Sequence, residues 1–203
     1  MNEPTAAPPV VAVVVTRDGG PWLAETLAAL AAQDHPRLAV LVLDNGGEID
    51  PTPVVAEHLP QAVVRRLTED RGYGAAANRV AGLVEGAAFY LFCHDDVAPE
   101  PDAVSVMVDE ALRSNAGIVG PKLVGWDDPR SLQAVGATAD ITGVGAPLVE
   151  PGELDQEQHD RVRDVLWIPG AMTLVRADLF DELGGCDETI TYLGEDLDLC
   201  WRA

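Results

Sequence analysis

The sequence has few basic residues: 13 lysines and arginines stand against 34 aspartates and glutamates in 203 residues, a formal net charge of −21. A chain with this charge repels the phosphate backbone of nucleic acid and the anionic surface of membranes, so no nucleic-acid partner is predicted. An anionic ligand would be repelled in the same way, and a divalent cation is the natural intermediary for such a ligand.

Cysteines and long apolar runs are also scarce. The chain has three cysteines, Cys93, Cys186 and Cys200. Because their number is odd and their wide spacing fits no zinc-ligand pattern, they favour a reduced, cytoplasmic setting. The longest apolar runs, 10–15 and 87–93, are far shorter than the roughly 18 residues of a membrane span. The sequence therefore predicts no membrane-spanning segment, and no start typical of a secretory signal is visible.

The overall composition, 47% hydrophobic and 23% charged, is that of a folded globular domain. Residues 1–9 are small and proline-rich, and we expect them to form a flexible tail. Residues 10–203 are predicted as a single domain, with a nucleotide-binding half over 10–120 and a more irregular half over 121–203. The last predicted helix is short and lacks a cap, so this second half is expected to be incomplete at its C-terminal end.

The first half alternates β-branched runs with helical stripes. A helix is predicted to begin at Gly72 and to carry apolar residues as far as Ala87. The alternation indicates an α/β fold with a mostly parallel, doubly wound central sheet and helices on both faces. Strands are predicted over 10–16, 39–43, 62–67, 88–93 and 117–119.

Polar clusters follow three of these strands, at Thr16–Asp18, Asp44–Asn45 and His94–Asp96. Ligands of doubly wound sheets bind outside the carboxyl ends of the strands. Adjacent carboxylates there repel each other and lose solvation, which favours a hard cation such as Mg²⁺ or Mn²⁺. Alternatively, Asp95 and Asp96 merely solvate a strand-to-loop turn, and 44–47 form an ordinary turn, since Asp, Asn and Gly are turn formers.

The second half predicts hairpins within 122–150 and strand-like pieces at 165–168 and 171–175. A final helix over 195–203 is expected to turn Leu197, Cys200 and Trp201 inward. Acidic residues in its first turn either compensate the helix dipole or supply a general base.

One motif suggests a different class of enzyme. The run from Gly72 to Ala77 fits the G-x-G-x-x-A fingerprint of dinucleotide-binding proteins, so an NAD(P)-binding oxidoreductase is an alternative. Against it, the motif follows the third strand rather than the first, and 69–71 leave no tight turn before it. In the simpler interpretation, the small residues permit close helix packing.

In their order along the chain, these motifs resemble those of family 2 glycosyltransferases, which use nucleotide sugars and have the GT-A (Rossmann-like) fold. The resemblance covers nearly the whole chain, and its "HDD" variant is similar to that of actinobacterial members. The matching stretches are 11–19, 22–23, 27–36 ("LAALAAQDHP"), 40–46 ("VLVLDNG"), 71–78 ("RGYGAAAN"), 89–102 ("FYLFCHDDVAPEPD"), 167–173 ("WIPGAMT"), 183–188 ("LGGCDE") and 194–202 ("GEDLDLCWR").

The resemblance implies an inverting, metal-dependent transfer of a sugar from a nucleoside-diphosphate donor to a glycan, lipid-linked or other hydroxyl acceptor, in cell-envelope or polysaccharide synthesis. It implies that Asp96 and Asp95 hold Mg²⁺ or Mn²⁺, and that Asp196, with Glu195, is the catalytic base. The implied nucleotide contacts are Thr16, Asp44, Asn45, Arg71 and Asp95, and the implied donor-sugar or acceptor contacts are Gly170, Ala171 and His94.

The chain departs from the family pattern in two places. The family's metal motif is commonly Asp-x-Asp, whereas here His94 precedes Asp95 and Asp96, so the main metal ligand of the two is left open. Many members continue with a further strand and helix, often carrying a metal-binding histidine. A catalytically silent nucleotide-sugar-binding or scaffolding domain is therefore a second hypothesis.

Overall fold

A computed structural model describes residues 6–142 and 144–203 of the chain. The described strands are β1 Val10–Thr16, β2 Leu38–Asp44, β3 Val63–Arg66, β4 Phe89–His94, β5 Ile118–Val119, β6 Leu123–Val124, β7 Leu132–Ala134, β8 Ala137–Ala139, β9 Gly145–Pro147 and β10 Met172–Arg176. The described helices are α1 Leu23–Ala31, α2 Thr52–His58, α3 Tyr73–Ala77, α4 Ala103–Ser114, α5 Ala177–Leu183 and α6 Glu195–Arg202, and a 3-10 helix over Asn78–Gly82 follows α3.

Six strands form the central sheet in the order β3-β2-β1-β4-β10-β5. Strands β1 to β4 pair in parallel, and β10 runs antiparallel to both of its neighbours. The predicted α/β fold with a mostly parallel sheet is confirmed. The alternation of the first half did not indicate that β10, from the second half, separates β4 from β5, because a local pattern carries no information on which strands become neighbours.

Helices cover both faces of the sheet, as predicted. Val10, Ala12 and Val14 of β1 pack toward α1, α2 and α4. Val13 and Val15 face α3, α5 and α6. Burial on both faces explains why β1 is one continuous apolar run rather than an alternating one.

The helix predicted from Gly72 to Ala87 is wrong in length. It is α-helical only to Ala77 and 3-10 to Gly82. Asn78 bonds both backbone groups of Cys186, its Nδ2 donating to the carbonyl at 2.9 Å and its Oδ1 accepting from the amide at 2.8 Å. Gly86 then takes a φ of 74°, which an α-helix cannot contain.

The predicted hairpins of the second half are present as the antiparallel pairs β6–β7 and β8–β9. Residues 165–168 form no strand, and only Trp167 makes a bridge, to Ala137. In α6 the buried residue is Leu199, whereas Trp201 is 70% exposed, so the predicted inward face was wrong for that tryptophan.

Of the tail predicted over 1–9, residues 1–5 lie outside the described residues. The Pro9 carbonyl accepts hydrogen bonds from the amides of Ala88 and Phe89. The carbonyl of Pro8 contacts the His35 ring at 2.9 Å. Among the described helices, none combines the length and the apolar character needed to cross a bilayer.

Candidate active site

The polar clusters of the first half meet at the carboxyl edge of the central sheet. Thr16 is the register partner of Asp44, and Val15 is that of His94. The His94 amide donates to the Ala171 carbonyl at 2.9 Å, which brings the start of β10 to the same edge. Residues predicted from distant parts of the sequence are therefore neighbours here.

Asp95 is held between β1 and α1. The buried hydroxyl of Thr16 donates to its Oδ2, and the Thr26 hydroxyl donates to its backbone carbonyl at 3.0 Å. Two threonines thus fix both the carboxylate and the main chain of Asp95. The turn over Gly20 lies close by, since a Cβ there would be 3.7 Å from Asp95 Oδ2.

Asp44 is completely buried and has both oxygens engaged. Arg66 Nε donates to Oδ2 at 2.6 Å, and the Gly47 amide donates to Oδ1 at 3.0 Å. Arg66 also donates to the Gly47 carbonyl at 2.9 Å. The sequence analysis missed Arg66, although a cation ending the neighbouring strand β3 could have suggested a partner for Asp44.

Asn45 presents a buried acceptor. Its Nδ2 donates to Asp70 Oδ1 at 2.9 Å, while its Oδ1 has no hydrogen-bond partner among the residues that the structure describes. A buried unpaired acceptor destabilises a protein, and its presence calls for an explanation such as a ligand donor. Arg71 does not join this group: it is exposed and reaches Glu188 at 3.7 Å.

Asp96 differs from its neighbours in having a side chain that is 52% exposed, and its Oδ1 lies 3.9 Å from His94 Nδ1. No group of three His, Cys, Asp or Glu side chains within 6–142 and 144–203 could by itself enclose a metal. Mg²⁺ is commonly bound by one or two carboxylates together with substrate phosphates. Asp95 and Asp96 fit that kind of site, with hard oxygen ligands and open positions.

Asp196 lies in the first turn of α6 and is tied to the segment that enters β10. The Gly170 amide donates to its Oδ2 at 2.8 Å, and the Leu197 amide donates to its Oδ1 at 2.8 Å. A Cβ at Gly170 would lie 3.4 Å from Asp196 Cβ, at ordinary contact distance. The predicted catalytic carboxylate and the predicted sugar contact are thus in direct contact.

A small cavity of about 30 Å³ lies beside Glu195 and Asp196. Tyr73 lines it, and its hydroxyl is buried with no partner among the described residues. Burial, followed by nearby thiols and the two carboxylates, raises the pKa of Tyr73 well above its ordinary value, so the phenol stays neutral. Its ring meets the His94 ring edge-on, with centroids 4.7 Å apart.

The two glycines of the G-x-G-x-x-A run pack directly against other parts of the protein, which leaves no space beside them for a ligand. Gly72 has a φ of 91°, and a Cβ there would be 2.6 Å from the Thr191 carbonyl oxygen. A Cβ at Gly74 would be 2.9 Å from that of Cys186. This geometry favours close packing, the simpler interpretation of the motif, over a dinucleotide site.

Comparison with known proteins places the chain in a family. The model of "Glycosyl transferase family 2" matches residues 11–184. The chain belongs to glycosyl transferase family 2. An N-acetylglucosaminyl-diphospho-decaprenol L-rhamnosyltransferase of Mycobacterium tuberculosis is 30% identical to this glycosyltransferase chain, over 94% of the chain and 68% of the relative.

Solved structures support the fold of this family 2 glycosyltransferase. TarS of S. aureus, residues 1–349, matches with a TM-score of 0.68 at 17% identity over 96% of the chain. The mannosyltransferase PcManGT of Pyrobaculum calidifontis, solved with GDP-Man and Mn²⁺, matches with a TM-score of 0.62 at 23% identity over 96% of the chain. The chain spans 54% and 51% of these two structures. The GT-A fold implied by the resemblance is confirmed.

Proposed function

We propose that this domain transfers a sugar from a nucleoside-diphosphate donor to an acceptor hydroxyl, with inversion at the anomeric carbon and with a divalent cation. The observation that carries the proposal is the convergence of Asp95, Asp96 and Asp196 on one edge of the sheet. They are brought there by the bond between the His94 amide and the Ala171 carbonyl and by that between the Gly170 amide and Asp196. The division into a nucleotide half, 10–120, and a sugar and acceptor half, 121–203, is part of this proposal.

The nucleotide would lie over the ends of β1 and β2, against Thr16, Asp44, Asn45 and Asp95. Arg71, which reaches Glu188 in the structure, would be a contact at the side of the nucleotide. The unpaired Oδ1 of Asn45 supports this placement, because a base with an N–H donor would satisfy it. Asp44 has no exposed surface, and both of its oxygens already accept hydrogen bonds from Arg66 and Gly47, so it would act by positioning the Asn45 turn.

Asp96 would be the main ligand of Mg²⁺ or Mn²⁺, since its carboxylate is exposed while that of Asp95 accepts from Thr16. Asp95 would complete the site or contact the ribose. When bound, such a cation neutralises the charge that develops on the leaving diphosphate. The solved structure of the mannosyltransferase with GDP-Man and Mn²⁺, which has a similar fold, supports the choice of a divalent cation.

Asp196 would act as the general base in the transfer step. The acceptor oxygen forms a bond to the anomeric carbon while the bond from that carbon to the diphosphate oxygen breaks with its electron pair. The acceptor proton passes to the Asp196 carboxylate, whose oxygens keep lone pairs beyond those that accept from Gly170 and Leu197. Glu195 lies beside the base, and Gly170, Ala171 and His94 would line the sugar.

We also propose a role in cell-envelope or polysaccharide synthesis on the cytoplasmic side. The similarity to a mycobacterial decaprenol-linked rhamnosyltransferase supports the first part. The three free thiols, Cys93, Cys186 and Cys200, support the second, since they suit a reducing compartment.

A thermal-shift screen with UDP-, GDP- and dTDP-sugars and with NADH, each in Mn²⁺ or EDTA, tests donor binding. A ligand that binds only the folded state raises Tm. We expect a Mn²⁺-dependent rise with one nucleotide-sugar class. A rise with NADH alone would contradict the proposal, as would no rise with any sugar nucleotide.

Two variants separate the assigned roles. Asp96→Asn should lower the Mn²⁺-dependent rise in Tm. Asp196→Asn should keep that rise and abolish sugar transfer. Asp181→Asn, at an exposed position of α5, is the matched control for the loss of one carboxylate. Donor binding without turnover in the unaltered chain would favour the silent binding domain. Equal loss of donor binding in the Asp96 and Asp196 variants would refute the separation of roles.

A further inference from the structure

Two tryptophans from distant parts of the chain meet at the surface. The ring centroids of Trp22 and Trp126 are 6.5 Å apart at an interplanar angle of 63°, an edge-to-face pair. They remain 45% and 38% exposed. Two of the four tryptophans of the chain are thus kept together and in contact with water. Such exposed aromatic surface is enriched in binding sites, because indole combines a large apolar face with a polar N–H.

The pair lies beside the proposed donor site. Trp22 immediately precedes α1, and its carbonyl accepts from the Thr26 amide at 3.0 Å. The hydroxyl of the same Thr26 donates to the Asp95 carbonyl at 3.0 Å, so one helical turn connects Trp22 to the end of β4. Trp126 lines an open groove of about 1810 Å³ that His94 and Asp96 also line.

The polar groups around the pair define what it can bind. Trp167 donates its indole N–H to the Thr138 carbonyl at 3.1 Å, whereas those of Trp22 and Trp126 donate to no atom of the described residues. Carboxylates of Glu25 and Asp127 lie along the same groove. An aromatic face, free N–H donors and carboxylate acceptors together match a ring with C–H faces and several hydroxyls.

Charge and polarity separate this ligand from the other classes. Lys122, Arg161 and Arg163 also line the groove, but Glu25 lies one helical turn from Trp22 and Asp127 directly follows Trp126. These two carboxylates and the net charge of −21 would oppose an anionic ligand at the pair. A lipid chain would cover the indole N–H and carboxylate groups without bonding them, which is unfavourable for each covered group. A neutral sugar can pack its C–H face on the indole rings and form hydrogen bonds with the indole N–H groups and the carboxylates.

We propose that Trp22 and Trp126 form a subsite for a neutral saccharide, which holds a sugar unit of the acceptor other than the one that reacts. That the saccharide belongs to the acceptor rests on the proposed function, and the groove that Trp126 lines also reaches Asp96. The saccharide subsite itself is defined by the two indoles and their neighbouring carboxylates.

Saturation-transfer NMR of the whole chain, without any nucleotide, tests the subsite directly. The probes are the methyl glycosides of glucose, galactose, mannose, rhamnose and N-acetylglucosamine, the disaccharides cellobiose and maltose, and glucuronic acid as an anionic comparison. We expect saturable binding of at least one neutral probe, and about tenfold weaker binding in Trp126→Ala. Trp201→Ala, which removes an equally large exposed indole from α6, should bind as the unaltered chain does.

Binding of no neutral probe up to its solubility limit would overturn the proposal, as would equal binding by Trp126→Ala or a preference for glucuronic acid. If Trp126→Ala does not fold, Trp126→Leu keeps an apolar side chain and removes the ring. Because the measurement contains no nucleotide, its failure is distinct from failure of donor binding in the thermal-shift screen.

Discussion

Loss of the Arg66 side chain should destabilise the protein far more than its place on a short edge strand suggests. Arg66 Nε donates to Asp44 Oδ2 at 2.6 Å, and the carboxylate of Asp44 has no exposed surface. Arg66→Leu would therefore leave a buried negative charge with only the Gly47 amide, 3.0 Å away, as its donor. An unpaired buried charge is the costly result of breaking an ion pair.

The magnitude follows from the burial of the two partners. Removing one member of a fully buried pair costs roughly 3–5 kcal/mol. Arg66 is 45% exposed, so water can reach the space that it leaves, and we lower the expected loss to about 2–3 kcal/mol. For a domain of this size, such a loss corresponds to a fall in Tm of roughly 4–12 °C.

Urea unfolding of Arg66→Leu, Arg65→Leu, Asp44→Asn and the double variant Asp44→Asn/Arg66→Leu measures the effect. Arg65 is the matched control, because its described contact is with the adjacent Val64 carbonyl at 3.1 Å. It should change the free energy of unfolding by no more than about 0.5 kcal/mol. The double variant should lose less than the sum of the single losses, since the buried charge is gone. Similar losses in Arg66→Leu and Arg65→Leu would refute the reasoning.

Two further predictions concern stability. Gly72→Ala should cost at least about 3 kcal/mol in thermal unfolding, because a φ of 91° with a ψ of 164° suits only glycine and the new Cβ would be 2.6 Å from the Thr191 carbonyl oxygen. Gly86→Ala, with a φ of 74° and no atom near its Cβ position, should cost only about 1–2 kcal/mol, and equal losses would contradict the role of the contact. Hydrogen bonds, first that from the Glu150 amide, lower the pKa of Glu153 from 4.5 to about 2, so its stabilisation is complete above pH 4.5 and is lost as the pH falls toward 2. Glu153→Gln should flatten the Tm profile in that window, and an unchanged profile would contradict the assignment.

The sheet was predictable where local sequence and burial agree. The apolar run of β1 has only one favourable placement, between two layers of helices, and the structure puts it there. The polar residues that end β1, β2 and β4 follow directly from this placement, because parallel strands share one carboxyl edge. The strand pattern was therefore enough to predict the position of the candidate site.

Contacts between distant segments were not predictable in the same way. The pairing of Asp44 with Arg66 depends on the register of β2 with β3, and a slip of one residue would turn Arg66 to the other face. The contact of Asp196 with Gly170 depends on the insertion of β10 next to β4. Trp201 shows the limit within one element, since a short helix offers too few apolar residues to define its inner face.

The effect of Asp96→Asn on donor affinity should have opposite signs with and without Mn²⁺ if a cation bridges Asp96 to the donor. Asp44 is paired with Arg66 and Asp95 accepts from Thr16, whereas Asp96 is half exposed and accepts no hydrogen bond from the described residues. In EDTA, the Asp96 charge can only repel the donor diphosphate, so Asp96→Asn should tighten binding of the sugar nucleotide identified by the screen. In Mn²⁺ the same change removes a ligand of the bridging cation and should weaken binding. Titration calorimetry in both buffers measures the two effects, and a change of the same sign in both would show that Asp96 does not hold the cation.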